Sequence, residues 1–205
     1  LPPLLNRIKA RTYAAWVLNL LKLKGHLAVS DFKKACTANI HALIESGTTT
    51  IGETCTQGIS PTLLSGSGIR ARVFQEVISM DPSKPLSRRM PFPFHDTSLL
   101  RFGLSPHSPH TVSEQAFSII TDLMQRRRLR LSIHVAETRE EGRLLRRSKS
   151  DLDRLYTAAG WDRDWAPKAP SSVMLLDRLG ILGPETMLVH TVDVSDDDIR
   201  MIKRR

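Results

Sequence analysis

Five short β-like runs, most of them separated by helix patterns, set the strongest limit on how this chain can fold. They are TTTIGET (48–54), IRARVFQEVI (69–78), LLRFGLSPH (99–107), LRLSIHVAE (129–137) and ETMLVHTV (185–192). Strands that alternate with helices pair in parallel through right-handed crossovers. An open doubly wound sheet and a (β/α)8 barrel both meet that rule. No G-x-G-x-x-G or Walker loop follows any of the runs, which removes the usual nucleotide signatures of the open sheet and favours the barrel. In the fourth run Leu131, Ile133 and Val135 alternate with Ser132, His134 and Ala136, so His134 turns away from the apolar face. Glu137 follows where the chain leaves the strand, at the end where parallel α/β folds keep their chemistry.

The helix signals fall between these runs. Ser30 and Asp31 cap a predicted helix that reaches residue 46, with Phe32, Ala35, Cys36, Ile40, Leu43 and Ile44 on one face and Gly47 as its stop. Thr111 and Glu114 read as a capping box ahead of Phe117, Ile120, Leu123 and Met124. One charged helix is expected over about 139–158, then an irregular GWDRDWAPKAPSS and a short helix ending at Gly180. Ser195, followed by three aspartates, starts a last helix with acid at its positive end. Pro82, Pro85, Pro91 and Pro93 mark 79–98 as a long loop.

Composition excludes several classes. Of 205 residues 40% are hydrophobic and 25% charged, the balance of an ordinary globular protein. No run approaches the roughly 18 apolar residues that a membrane-spanning helix needs, so no membrane partner is expected. Cys36 and Cys55 are too few and too separated for a disulfide scaffold or a zinc knuckle, which makes the reducing cytoplasm the default compartment. The net charge of +9 invites a nucleic-acid reading. Its runs, QRRRLR, GRLLRRSKS and MIKRR, fall on helix surfaces and ends, where cations suit the helix dipole, and aromatic residues are sparse, so nucleic acid is disfavoured.

Chemistry enters at the strand ends. Glu53 with Thr54, His107, His134 with Glu137, and His190 each close a run. A single histidine there is ordinarily a packing residue, but three with a glutamate at one barrel mouth form a reactive set. Such a set suits a divalent metal that polarises water and a carboxylate that carries its proton, with imidazole favouring zinc or iron.

The ordered motifs SGTTTIGE (46–53), FGLSPHSPHTVS (102–113), LRLSIHVAETREE (129–141) and ILGPETMLVHTVDVSDDDI (181–199) resemble the amidohydrolase superfamily, in its cytosine deaminase, chlorohydrolase and S-adenosylhomocysteine deaminase branch. The resemblance implies an α/β fold, a partial (β/α)8 TIM barrel spanning about strands 2 to 6. It also implies a metal-dependent hydrolase of carbon–nitrogen bonds, deaminating a nucleobase, nucleoside or related amidine-like ring; halide displacement would use the same parts. His134 then corresponds to a metal ligand and Glu137 to the general acid/base between metal-bound water and a ring nitrogen. His190 corresponds to the histidine beside the attacking water, and His107 to a substrate-contacting residue. His110 stands where that branch often has tyrosine.

The resemblance also sets expectations about what lies outside 1–205. The family's first-strand H-x-H pair and its aspartate after the eighth strand have no counterpart here, so the chain is expected to be an incomplete barrel domain truncated at both ends. It would lack the first and last strands and most of the ligands of its one zinc or iron ion, and an open arc with one ligand histidine is expected to be inactive by itself. A small-molecule substrate and, by family habit, a homodimer are the expected partners. The rival from a different class is a catalytically dead barrel that presents a basic surface to an acidic partner or nucleic acid.

Overall fold

The computed structural model describes residues 8–87 and 95–205. Five parallel strands occur in chain order: β1 (Thr50–Cys55), β2 (Arg70–Val77), β3 (Leu100–Pro106), β4 (Arg130–Val135) and β5 (Thr186–His190). Each pairs with the next, in registers such as Gly52 with Arg72, Phe74 with Gly103, Gly103 with Arg130, and His134 with Val189. The sheet curls into a half-barrel, and each expected strand lies within two residues of its predicted bounds. Parallel order without hairpins requires crossovers, and helices lie in all of them except the β2–β3 connection, where none occurs among the described residues.

Those helices are α1 (Tyr13–Lys24), α2 (Val29–Glu45), α3 (Ser60–Ser65), α4 (Glu114–Arg127), α5 (Arg139–Leu145), α6 (Asp153–Ala159), α7 (Ser172–Arg178) and α8 (Asp196–Arg204). Alternation along the strands decides what they cover. Leu104, Leu131, Ile133 and Val135 point outward into a core with Phe117, Ile120, Val173 and Leu176; Ala71 and Val73 meet Ile40, Leu64 and Ile69 in a second cluster. Full burial of such a side chain stabilises the fold by roughly 1.5–3 kcal/mol. Gly52, Phe74, Gly103, Ser132 and His134 occupy the opposite positions of the alternation, on the inner face. There Phe74 fills the space beside Gly103, whose missing side chain would sit 2.8 Å from the Phe74 ring and 2.5 Å from the Arg130 carbonyl.

Several helix boundaries depart from the sequence reading. α2 starts at Val29, with Asp31 reaching back to the Ala28 N–H at 2.9 Å instead of serving as the cap itself. The cap of α4 is Ser113, whose hydroxyl accepts from Ala116 N; Thr111 is engaged elsewhere. The single charged helix is two, because Arg147 takes a left-handed φ of 60°. Ser148 N then donates to Arg143 O and Arg147 N to Leu144 O, a Schellman closure. The Arg147 guanidinium is taken up by the carbonyls of Arg163 and Ala166, which holds the following loop against α5. Trp161 and Trp165 pack there with Met80, Leu144, Leu152 and Tyr156. Ser195 caps α8 as expected, in a capping box with Asp198. Of the proline-rich stretch, Asp81 to Lys84 forms a turn, and 88–94 lie outside the described residues.

Candidate active site

The carboxyl ends of β3, β4 and β5 bring together three of the histidines singled out from the sequence. Backbone ladders extend just past the strands to do it: His107 N donates to Val77 O at 2.9 Å, His134 N to His107 O at 3.0 Å, and Thr191 N to Val135 O at 2.9 Å. The His107 and His134 ring centroids lie 5.3 Å apart, and those of His134 and His190 5.0 Å. His190 Nε2 stands 3.6 Å from Glu137 Oε1, so Glu137 joins the same group. Glu53 does not. It lies on the helix side of β1, lining a cavity of about 180 Å3 with Cys36, Cys55 and Lys24, where burial raises its carboxyl.

The turns that aim these side chains are strained. Ala136, His190 and Thr191 have φ values of 51°, 76° and 48°, in the left-handed region that costs a non-glycine residue roughly 1–2 kcal/mol. Hydrogen bonds hold them there. Val192 N and Asp193 N both donate to Ala136 O, and Ala136 N donates to Glu141 Oε1 at 2.8 Å.

Burial makes the pocket hostile to cationic imidazole. His107 is pushed down to about 3 by burial and by the neighbouring His110, His134 and Lys24, while its Nδ1 meets Thr111 Oγ1 at 2.8 Å. His134 is lowered by burial and by His190, with Glu137 and Glu76 opposing. Its Nδ1 is buried without a hydrogen-bond partner, and an orphaned neutral imidazole nitrogen is the kind of donor a divalent cation takes up. Among the described residues no group of three or more His, Cys, Asp and Glu side chains is placed to hold a metal ion. The chain therefore fits such an ion as the source of one imidazole ligand.

Four contributors escaped the sequence reading as site residues. Tyr13 donates its hydroxyl to Glu137 Oε2 at 2.8 Å. Glu141 lies buried behind the site, receives the Ser172 hydroxyl, and places Oε2 3.5 Å from His110 Nδ1. Thr111 orients His107. Glu76, on the inner side of β2, acts on His134. Of these only Glu76 carried a local signal, its place in the strand alternation turning it toward the pocket, without marking it as catalytic.

One cluster of arginines lies at the other end of the sheet. Arg72, Arg101, Arg128 and Arg130 line an open cavity near the amino ends of β2 to β4, with Arg101 paired to Asp96 at 3.4 Å and Arg130 to Glu185 at 2.9 Å. No helix among the described residues is long and apolar enough to cross a membrane.

No family model matches the sequence. The chain is 33% identical over 122 residues to the aminodeoxyfutalosine deaminase of Deinococcus radiodurans, a match that takes in 51% of this chain and 27% of that protein. Other relatives it matches are also deaminases, among them the 5'-deoxyadenosine deaminase of Methanopyrus kandleri, at 29% identity over 52% of this chain and 20% of that protein. Solved structures agree on the fold. The Helicobacter pylori aminofutalosine deaminase bound to methylthio-coformycin superposes with a TM-score of 0.80 at 20% identity, over 97% of this chain and 49% of that one. An adenosine deaminase from Xanthomonas campestris with bound zinc gives 0.72 at 17% identity, over 96% and 43%. The chain thus spans about half the length of those two deaminase structures, and its five parallel strands form a curled half-barrel that matches their fold.

Proposed function

We propose that this chain is an incomplete barrel domain, residues 1–205, of a metal-dependent deaminase that acts on an amino-bearing nucleobase or nucleoside. The observation that carries the reading is the convergence of His107, His134, His190 and Glu137 at the carboxyl end of three adjacent parallel strands. The deaminase identity of the homologues supports it. The zinc in the Xanthomonas neighbour supports a divalent ion, zinc or iron, with His134 as one ligand and the others supplied from outside this chain.

Such an ion, when bound, lowers the pKa of water and so supplies a nucleophile at neutral pH. Glu137 accepts a proton from the attacking water and delivers it to the ring nitrogen next to the carbon that bears the amino group. His190, beside Glu137, donates toward the oxygen that develops charge at that carbon. His107 remains neutral through the physiological range and binds substrate through one ring nitrogen while Thr111 holds the other. The amino group takes up the second proton of that water and leaves as ammonia as its bond to the ring carbon breaks, and the ring carbon keeps the oxygen as a carbonyl.

The test is ammonia release by the full-length protein, loaded with zinc, from adenosine and aminodeoxyfutalosine. Turnover of either by wild type, lost in Glu137→Gln while the zinc is retained, supports the reading. Absence of turnover in wild type with zinc in place would overturn it.

A further inference from the structure

The Tyr13–Glu137 contact spans 124 positions of sequence and joins α1 to the carboxylate assigned the proton-carrying role. α1 is held where it is by independent contacts. Thr12 caps it by accepting from Ala15 N, Ala14 is wholly buried and its N–H donates to Asp151 Oδ2 at 3.1 Å, and Tyr13 packs against the cluster of Met80, Leu144 and Leu152. At the far end of the helix Lys24 lies close enough to bear on His107. α1 thus runs past the mouth of the half-barrel, with Tyr13 over the end of β4.

Packing alone explains the ring of Tyr13 but not its hydroxyl, which points at a carboxylate oxygen and away from solvent. Burial, with the adjacent Glu137 second, raises the phenol far above its ordinary value, so the hydroxyl is a donor at any working pH. A carboxylate has two oxygens and, in this site, two neighbours: Oε2 receives Tyr13 at 2.8 Å, and Oε1 faces His190 Nε2 at 3.6 Å.

Resting on the function proposed above, we infer that Tyr13 is a positioning residue for Glu137. Its hydroxyl occupies Oε2, so the proton carried during deamination is taken from water and released to the ring nitrogen at Oε1 alone. The proton balance at Glu137 is unchanged by Tyr13, which keeps its own proton throughout. What Tyr13 supplies is orientation: without it the carboxylate is free to rotate about its last bond and offer either oxygen in either direction.

Two measurements test this. In the full-length zinc-loaded protein, Tyr13→Phe keeps the ring and removes the hydroxyl. With adenosine or aminodeoxyfutalosine, whichever the wild type turns over faster, kcat should fall about tenfold with KM within about twofold, the pattern of a misplaced acid/base group. An unchanged kcat, or a rise in KM with kcat intact, overturns the inference. Glu137→Gln separates the two ideas: if it loses turnover while Tyr13→Phe does not, only the positioning role falls, and if it keeps turnover, the role of Glu137 itself falls.

The second measurement needs no turnover and no folded Tyr13 variant. In the full-length protein a ring-carbon label placed at Cζ of Tyr13 alone, and in a second sample of Tyr156 alone, by site-specific incorporation gives one NMR signal each. Tyr156, which donates to the His110 carbonyl at 2.7 Å, is the reference. On Glu137→Gln one signal should move and the other stay. If neither moves, the contact is absent and the inference is overturned.

Discussion

His110 Nδ1 lies 3.5 Å from Glu141 Oε2, and both side chains are almost wholly buried behind the candidate active site. The pair ties the loop that carries His107 to the helix that follows Glu137. Glu141 also accepts from Ala136 N and from the Ser172 hydroxyl, so one carboxylate supports the left-handed turn at Ala136 and the start of α7.

Glu141 predicts an acid limb in stability. Burial by itself would raise its carboxyl, but the His110 contact and the Ser172 and Ala136 donors outweigh that and hold it below the ordinary carboxylate range. A lowered folded-state pKa means that the unfolded chain binds the proton first as pH falls. The stabilisation is therefore present above the ordinary glutamate value and disappears as pH drops through the folded one. Urea unfolding followed by circular dichroism from pH 7 to pH 3 should show this loss. Glu141→Gln should flatten the slope and cost about 2 kcal/mol at pH 7; an unaltered slope would refute the assignment.

His107 should act in the same direction at higher pH. Its folded pKa of about 3 lies below the ordinary histidine value, because burial and the surrounding His110, His134 and Lys24 oppose a positive charge. Between about 6.5 and 3 the unfolded state takes up a proton that the folded state refuses, so stability declines as pH falls through that window. Histidine NMR should find one ring still neutral at pH 5, and that ring should be missing in His107→Gln. A His107 ring that titrates near pH 6.5 would contradict the buried site.

Gly103 should tolerate no side chain. A Cβ there would meet the Arg130 carbonyl at 2.5 Å and the Phe74 ring at 2.8 Å, and the carbonyl belongs to a paired strand that has little room to shift. Gly103→Ala is expected to cost about 1–3 kcal/mol through overpacking. Gly52→Ala, whose new methyl would find Met187 and Phe74 at an ordinary 3.9 Å, is the control. Thermal melts of the two variants should separate by several degrees; equal melts would mean that the inner face is looser than described.

His134 should govern metal retention. Its buried, unpartnered Nδ1 is the one ligand assigned within this chain. In the full-length protein His134→Ala should weaken zinc binding by about tenfold or more, read by competition with a chelator. His190→Ala should lower turnover and leave zinc content near wild type. Reversal of the two outcomes would exchange their roles.

What the sequence by itself determined is whatever local periodicity and capping chemistry encode. The alternation of Leu131, Ile133 and Val135 with Ser132 and His134 put His134 on the inner face. Gly47 and Gly180 ended helices through left-handed φ values near 80° and 68°, and Ser195 with Asp198 closed a capping box. The order of strands and helices was enough to give a parallel arc, since no hairpin-length connection joins any two strands. The rest was decided by contacts between residues far apart in the chain, for which no periodicity exists. The sequence pattern pointed to Thr111 as the cap of α4, but His107 and Ser108 engage its hydroxyl, and Ser113 starts the helix. The break between α5 and α6 came from Arg147, a good helix former, because carbonyls of the 163–166 segment compete for its guanidinium. Tyr13 reached Glu137 only because α1 docks beside α6, a placement set by burial of Ala14 and an Asp151 hydrogen bond and not by any pattern within residues 13–24.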